Sequence, residues 1–331
     1  MRALGRSGLQ IPVIGLGSWL TLGVGLDEER GQACVRRAWE RGVRFFDTAD
    51  VYADGEAERA LGRALAQVPR ASVTIATKCF FPLAGRPEAR GLSRAHIMES
   101  IAGSLERLQT SYVDLLQCHR FDRDTPLEET VEAMSELVRK GLIRSWGVSE
   151  WSAVQLVEAL WCSQKLGAIA PISNQPMYNA LQRRIELDVL DTCDAHELGV
   201  LTYSPLAQGV LSGKYRPGQA PPAGSRAAHP QAGAVLRARL DDAVLARVAR
   251  LAPLAEQLNL SMAQLAIAWC LREPAVSCVL IGASSPAQVD EAVAAADITL
   301  SEDTLRRIDE VLGTAPFDQY AGRLHVRSKR T

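Results

Sequence analysis

RFFDTADVYADGEAERALGRAL, residues 44–65, reads as one complete structural unit. RFFDTA is a short apolar run of strand length that turns polar at Asp47. A loop with Asp54 and Gly55 follows, and then a helix expected over Glu56 to Leu65. A strand followed by a longer amphipathic helix is the βα unit, and a chain that repeats it builds a parallel sheet.

The repeat extends in both directions. Upstream, VIGLGSW (13–19) precedes a helix that Asp27 can cap, with apolar positions at Ala33, Val35, Ala38 and Trp39. Downstream come VTIATK (73–78) with a helix from Ser93 through Ile97, Ile101, Leu105 and Leu108, and YVDLLQCHR (112–120) with a helix from Leu127 to Lys140 entered through Pro126. IRSWGVS (143–149) leads to a helix over Ala153 to Leu166, and PISNQ (171–175) to one over Glu186 to Leu198. GVLTYSPL (199–206) is the seventh strand, and SCVLIGAS (277–284), with a helix over Ala287 to Ala296, is the eighth unit. Eight units predict a closed (β/α)8 TIM barrel forming one domain over 1–331, opened by a short N-terminal hairpin. Between strands seven and eight the Pro-, Gly- and Ala-rich segment GKYRPGQAPPAGSRAAHPQAG (213–233) predicts a long loop, with further helices near 241–258 and 261–272. A C-terminal helix is expected at 302–312, followed by a mobile tail to Thr331.

Composition narrows the function. A net charge of −1 with both signs interleaved gives no field for nucleic acid or an anionic membrane. Seven scattered cysteines without a C-x-x-C pair read as free buried thiols in a reducing compartment. The N-terminus lacks the continuous apolar core of a signal peptide, and no apolar run reaches the ~18 residues of a membrane span, so a cytoplasmic protein is expected. The five histidines, His96, His119, His196, His229 and His325, show no H-x-H or H-E-x-x-H spacing, so no metal site is expected.

In a parallel barrel the carboxyl ends of all strands open on one face. Asp47, Tyr52, Lys78 and His119 lie at or just past such ends, and together they could supply a proton. A phenol of ordinary pKa about 10 needs a nearby cation to release its proton at neutral pH. Lys78, one of only five lysines in an arginine-rich chain, could be that compact cation, held by Asp47, while His119 orients an oxygen or shares the proton.

Longer motifs carry a resemblance. FFDTADVYADGEAERALG, ATK, QCH, WGVSEWS, SPLAQGVLSGKY and VLIGASSPAQVDEA, in this order, resemble the aldo-keto reductases over essentially the whole chain. GLSRAHIMESIAGSLERLQTSYVDLLQ and MAQLAIAWCLRE are similar to the potassium-channel β-subunits and the bacterial reductases allied to them, including the glyceraldehyde-3-phosphate-reductase-like branch. The resemblance implies an (α/β)8 barrel that binds an extended NADP(H) without a Rossmann fold, consistent with GLGSWLTLG not forming G-x-G-x-x-G.

By position it implies a catalytic tetrad of Asp47, Tyr52, Lys78 and His119, with Tyr52 protonating a carbonyl oxygen as hydride leaves the nicotinamide. Ser149 and Gln175 would hold the carboxamide, Tyr203 would stack under the ring, and Trp19 would wall the pocket. Ser204, Pro205, Leu206, Ala207, Gln208, Gly209 and Lys214 would meet the diphosphate. Arg226, Ser284, Gln288 and Glu291 would grip the adenosine half, with Gly282 beside them.

Three positions depart from the family pattern. Glu150 stands where relatives carry Asn or Arg, which shifts a carboxamide contact toward the backbone or Asn174. Ala292 replaces an Asn near the adenine, and Ser284 and Gln288 are neutral where other branches carry Lys and Arg. Preference for the 2′-phosphate therefore rests on Arg226 and Lys214. The β-subunits carry Asn at the position of His119 while reductases carry His, which points to an NADPH-dependent reductase of aldehydes or ketones. The competing expectation is a cofactor-binding regulatory subunit of a membrane channel with little turnover. Trp19, Phe80, Phe81 and Trp151 would shape an apolar substrate pocket, and the family implies a homo-oligomer, tetramer or octamer.

Overall fold

The computed structural model of the chain describes residues 1–83, 85–229, 233–237 and 240–314; the tail expected to be mobile lies outside them. Eight parallel strands close into a barrel in chain order. They are β3 (Ile14–Gly17), β4 (Phe45–Asp47), β5 (Thr74–Cys79), β6 (Val113–Cys118), β7 (Ile143–Ser149), β8 (Ser173–Gln175), β9 (Gly199–Tyr203) and β10 (Val276–Ile281), and β10 pairs back onto β3. Ahead of them, β1 (Arg2–Ala3) and β2 (Gln10–Ile11) form the predicted antiparallel hairpin.

Helices follow the strands: α1 (Glu28–Glu40), α2 (Glu56–Leu65), α3 (Arg94–Leu108), α4 (Leu127–Arg139), α5 (Ala153–Leu166) and α6 (Val189–Ala195). In the long connection after β9 come α7 (Ala234–Arg237), α8 (Asp242–Ala249), α9 (Ala252–Gln257) and α10 (Met262–Leu271), then α11 (Pro286–Ala294) and α12 (Glu302–Leu312) beyond β10. Local chemistry sets their starts. Asp27, Ser93 and Asp241 accept from first-turn N–H groups, and Ser152 and Ser261 form reciprocal capping boxes with Gln155 and Gln264.

Two predicted helices differ in extent. The helix expected over 241–258 is broken into α8 and α9, because Pro253 has no N–H for the carbonyl of Ala249. The one expected over Glu186 to Leu198 shortens to Val189–Ala195 behind a 3-10 turn at Arg184–Glu186. There Glu186 serves tertiary contacts, accepting from Arg272 at 2.9 Å and from Arg183 at 3.0 Å.

Alternation along the strands creates two apolar layers. Phe46 points outward into the large cluster between barrel and helices, which also holds Ile75, Leu116, Val200 and Val279. Phe45, Ala76, Leu115, Leu201 and Cys278 point inward and meet Leu4 and Ile11 of the hairpin, which plugs the amino end of the barrel. Because side chains repeat every two residues, the positions after these inward ones also face the barrel axis. Asp47 follows Phe45, Lys78 follows Ala76, and Gln117 and His119 follow Leu115. The same periodicity that fills the core thus aims polar groups into the opposite end. Among the described residues no helix is long and apolar enough to cross a membrane, and the seven cysteines are all free and buried.

Candidate functional site

At the carboxyl end of the barrel opens a cavity of about 1050 Å³. That volume is at the upper end of the ~300–1,000 Å³ usual for ligand pockets. One end of it is built around Asp47, which is 4% exposed. Lys78, fully buried, donates to Asp47 Oδ1 at 2.6 Å and to the Thr48 carbonyl at 2.7 Å. Asp47 Oδ2 accepts from Gln175 Nε2 at 2.8 Å and from Gln117 Nε2 at 3.3 Å. The Lys78 ammonium also bonds the Tyr52 hydroxyl, and its Nζ lies 4.9 Å from the Tyr52 ring centroid. His119 packs edge-on to Tyr52, with centroids 5.6 Å apart, and to Phe81 at 5.1 Å. The structure therefore brings together all four residues of the predicted constellation.

Its electrostatics differ from the sequence expectation. Burial works against the Lys78 ammonium, but Asp47 and Tyr52 together outweigh it and raise its pKa. Tyr52 was expected to be made more acidic by Lys78; burial instead dominates and raises its pKa, because Asp47 already compensates the lysine charge. Burial, with Lys78 and Arg120 adding repulsion, pushes His119 down to about 2, so its imidazole is neutral. Among the described residues its buried Nδ1 has no hydrogen-bond partner, as is true of Asn174 Oδ1 and Gln208 Oε1. Buried polar atoms are rarely left unpaired, and a ligand is one way to satisfy them.

Ser149 Oγ donates to the Gln175 carbonyl at 2.9 Å, and Asn174 donates to the Trp151 carbonyl at 3.1 Å. Tyr203 closes this end, its hydroxyl bonded to Glu150 and its pKa raised by burial. Beyond it the chain turns through Ser204, Ala207, Gln208 and Gly209, all with positive φ. Such a turn can direct backbone N–H groups into a concavity suited to anions. Lys214 lies across it, and a Cβ at Gly209, whose φ is +100°, would sit 3.0 Å from Lys214 Cε. Only glycine meets both conditions at 209.

Lys214 and Arg226 both line the cavity, and among the described residues neither has an ion-pair partner. Burial lowers the pKa of both, and for Lys214 the Arg226 charge lowers it further. Arg226 faces Trp19 with its Cζ 5.8 Å from the ring, and its Nη2 is 3.7 Å from where a Cβ on Gly282 would stand. Pro205, Leu206, Ser284, Gln288 and Glu291 complete this end of the lining. Ser284 N–H donates to Gln288 Oε1 at 2.8 Å at the start of α11.

Of the catalytic and cofactor positions singled out from the sequence, all line the cavity except Lys78, which sits directly behind it, and Ala207. Of the side chains expected to shape the substrate pocket, Trp19 and Phe81 line it, whereas Phe80 and Trp151 are buried in the apolar layer between barrel and helices. Sequence reasoning missed Gln117, whose register opposite Lys78 on β6 makes it a second donor to Asp47. The two-residue step from His119 was the available signal. It also missed the β3–α1 loop, which brings Leu20, Thr21 and Leu26 to the cavity wall. Among the described residues there is no group of three His, Cys, Asp or Glu side chains able to hold a metal ion.

The sequence model of the aldo/keto reductase family matches residues 13–313, the span of the barrel with its terminal helix. The chain belongs to the aldo/keto reductase family. Within it, an Arabidopsis thaliana protein and an Oryza sativa subsp. japonica protein, each named "Probable voltage-gated potassium channel subunit beta", are both 42% identical to the chain over 318 residues, covering 95% of it and 96% of each relative. A Schizosaccharomyces pombe protein, also named as a voltage-gated potassium channel subunit beta, is 38% identical over 326 residues, 96% of the chain and 94% of the relative.

These findings correct the expectation of an NADP(H)-dependent oxidoreductase. End-to-end relatives bear the name of channel subunits, although His119 had pointed to the reductase branch. One residue position does not outweigh an identity of 42% spread over 318 residues.

Proposed function

We propose that this chain is a regulatory β-type subunit that holds NADP(H) in the barrel mouth and docks on a voltage-gated potassium channel, with little carbonyl turnover. The observation that carries the cofactor half is the pair Lys214 and Arg226, two cations on the cavity wall, Arg226 half-buried and Lys214 exposed, without anionic partners among the described residues. The Arg226 charge acts against the Lys214 ammonium across this wall, and phosphate groups would relieve that repulsion. The channel half is supported by 42% identity, over nearly the full length, to relatives that carry the β-subunit name.

In this reading the bound dinucleotide supplies a ring that interconverts between oxidised and reduced forms. The chain's own residues fix how that ring is held. Asp47, Tyr52, Lys78 and His119 surround its reactive edge; Ser149, Gln175 and Asn174 face the carboxamide; Tyr203 supports the ring; Trp19 walls the pocket. The turn from Ser204 to Gly209 and Lys214 take the diphosphate. Arg226, with Gly282, Ser284, Gln288 and Glu291, takes the phosphorylated ribose and adenine. The Asp47–Lys78 pair and neutral His119 keep this end close to charge balance, which suits a tightly held cofactor.

Titration of the full chain with NADPH and NADH, wild type beside Arg226→Ala, tests the cofactor half. Loss of a charge-assisted contact should weaken NADPH by roughly ten- to a hundredfold and NADH far less. Equal losses for the two would remove Arg226 from the 2′-phosphate. For the channel half, the chain should co-purify with a detergent-solubilised voltage-gated potassium channel while NADPH oxidation on a panel of aldehydes and ketones stays near background. Rapid oxidation without channel association would overturn it.

A further inference from the structure

Helix α1 carries three arginines on one flank. Arg30, Arg37 and Arg41 follow at spacings of seven and four, so on an α-helix they stand one above another. The lower two show where that flank points. Arg37 Nε donates to both oxygens of Asp290, at 2.9 and 3.1 Å, and Arg41 Nε lies 3.4 Å from the same carboxylate. Asp290 belongs to α11, which follows β10, the barrel neighbour of β3. The other flank of α1 faces α2, where Glu28 pairs with Arg63 at 2.8 Å. Arg30 therefore stands two turns, about 10 Å, above the Arg37–Asp290 pair on the α11 side. The same climb along the parallel α11 passes its start at Pro286 and reaches the turn of Gly282 and Ser284.

Arg30 is an exposed side chain that lines the cavity with Ser284, Gln288 and Arg226. Among the described residues it has no ion-pair partner. Its place also opposes the helix macrodipole, which favours acids in the first turn, as Glu28 and Glu29 show. An anion in the cavity would answer both. The turn it faces offers polar groups without charge: Ser284 N–H and Oγ both donate to Gln288 Oε1, at 2.8 and 3.1 Å. Arg226 reaches that turn from the long loop, as its approach to Gly282 shows. We propose that Arg30 is a second cation for the phosphomonoester on the adenosine half of the dinucleotide, setting with Arg226 the preference for NADPH over NADH. This rests on the cofactor reading above. A phosphomonoester carries nearly two negative charges at neutral pH and suits two guanidinium groups. The diphosphate turn follows β9, with β10 between it and β3, so Arg30 serves the end of the dinucleotide beyond it.

Titration of the full chain with NADPH and with NADH tests the assignment, using wild type, Arg30→Gln, Arg30→Lys and Arg37→Gln. Arg30→Gln should weaken NADPH roughly three- to tenfold, the range for a charge-assisted contact at an exposed side chain, and NADH less than about twofold. Added salt should shrink that difference by screening. Arg30→Lys should keep part of the affinity, because it retains a point charge without the guanidinium fork. Arg37→Gln removes a charge from the same flank, away from the cavity, and should leave both affinities unchanged. The Arg30 variants should unfold at the wild-type temperature, since the side chain is exposed. No loss in Arg30→Gln, equal losses for the two dinucleotides, or the same selective loss in Arg37→Gln would overturn the role of Arg30 while the cofactor reading stands. A wild type that binds neither dinucleotide overturns both.

Discussion

His119 lets the buried site be weighed through its proton. In the fold its pKa is lowered from 6.5 to about 2, because burial and then the charges of Lys78 and Arg120 penalise the imidazolium. Between those values the unfolded chain binds a proton that the folded chain refuses, so stability falls on acidification and returns as pH rises. One group contributes a slope of about 1.4 kcal/mol per pH unit. Asp50 acts in the opposite sense: burial raises it from 3.8 to about 7, so its contribution is present at low pH and lost as pH rises through neutrality. That term is common to wild type and variant and cancels in the difference. Urea unfolding as a function of pH should therefore show His119→Gln losing less stability than wild type below pH 6.5. Parallel curves would mean that the imidazole takes its proton inside the fold.

Helices α2 and α3 show how elements hold the site from behind. Glu58, fully buried on α2, is paired with Arg107 of α3 at 2.6 Å and bonded to Thr77 of β5, the residue before Lys78. The two helices approach so closely at Gly62 that a Cβ there would stand 2.8 Å from the Leu108 carbonyl oxygen. Backbone cannot yield as a flexible side chain can. Gly62→Val should thus lower stability by about 1–3 kcal/mol through overpacking, read as a lower denaturant midpoint with an unchanged m-value; a wild-type midpoint would show that the helices can separate freely. Gly62 illustrates what element-level sequence reading misses. The helix over Glu56 to Leu65 was legible from its periodicity, but a glycine within it reads only as a weak helix former. Its reason is a neighbour, Leu108, 46 positions away.

At the scale of the whole molecule, the barrel is sealed at one end and open at the other. Leu4 is fully buried in the inner apolar layer with Ile11, Phe45, Leu115 and Leu201, and Arg6 N–H donates to the Glu197 carbonyl at 2.8 Å to hold the plug in place. Leu4→Ala should cost about 2–5 kcal/mol in unfolding free energy while NADPH affinity, set at the far end, stays as in wild type. A parallel loss of affinity would show that the plug and the mouth are coupled. Sequence alone determined the eight βα units and, through resemblance, the residues expected at their strand ends, because strand alternation and helix periodicity are local and survive in one dimension. The break at Pro253 was local too, and only its competition with the surrounding helical pattern hid it. Tertiary structure decided the rest. It made Gln117 and Gln175 partners of Asp47, turned Tyr52 into a weaker acid, left Lys214 and Arg226 without anions among the described residues, and exposed Trp161. Each of these depends on burial and on charges brought close from distant positions, and neither quantity exists until the chain has closed on itself.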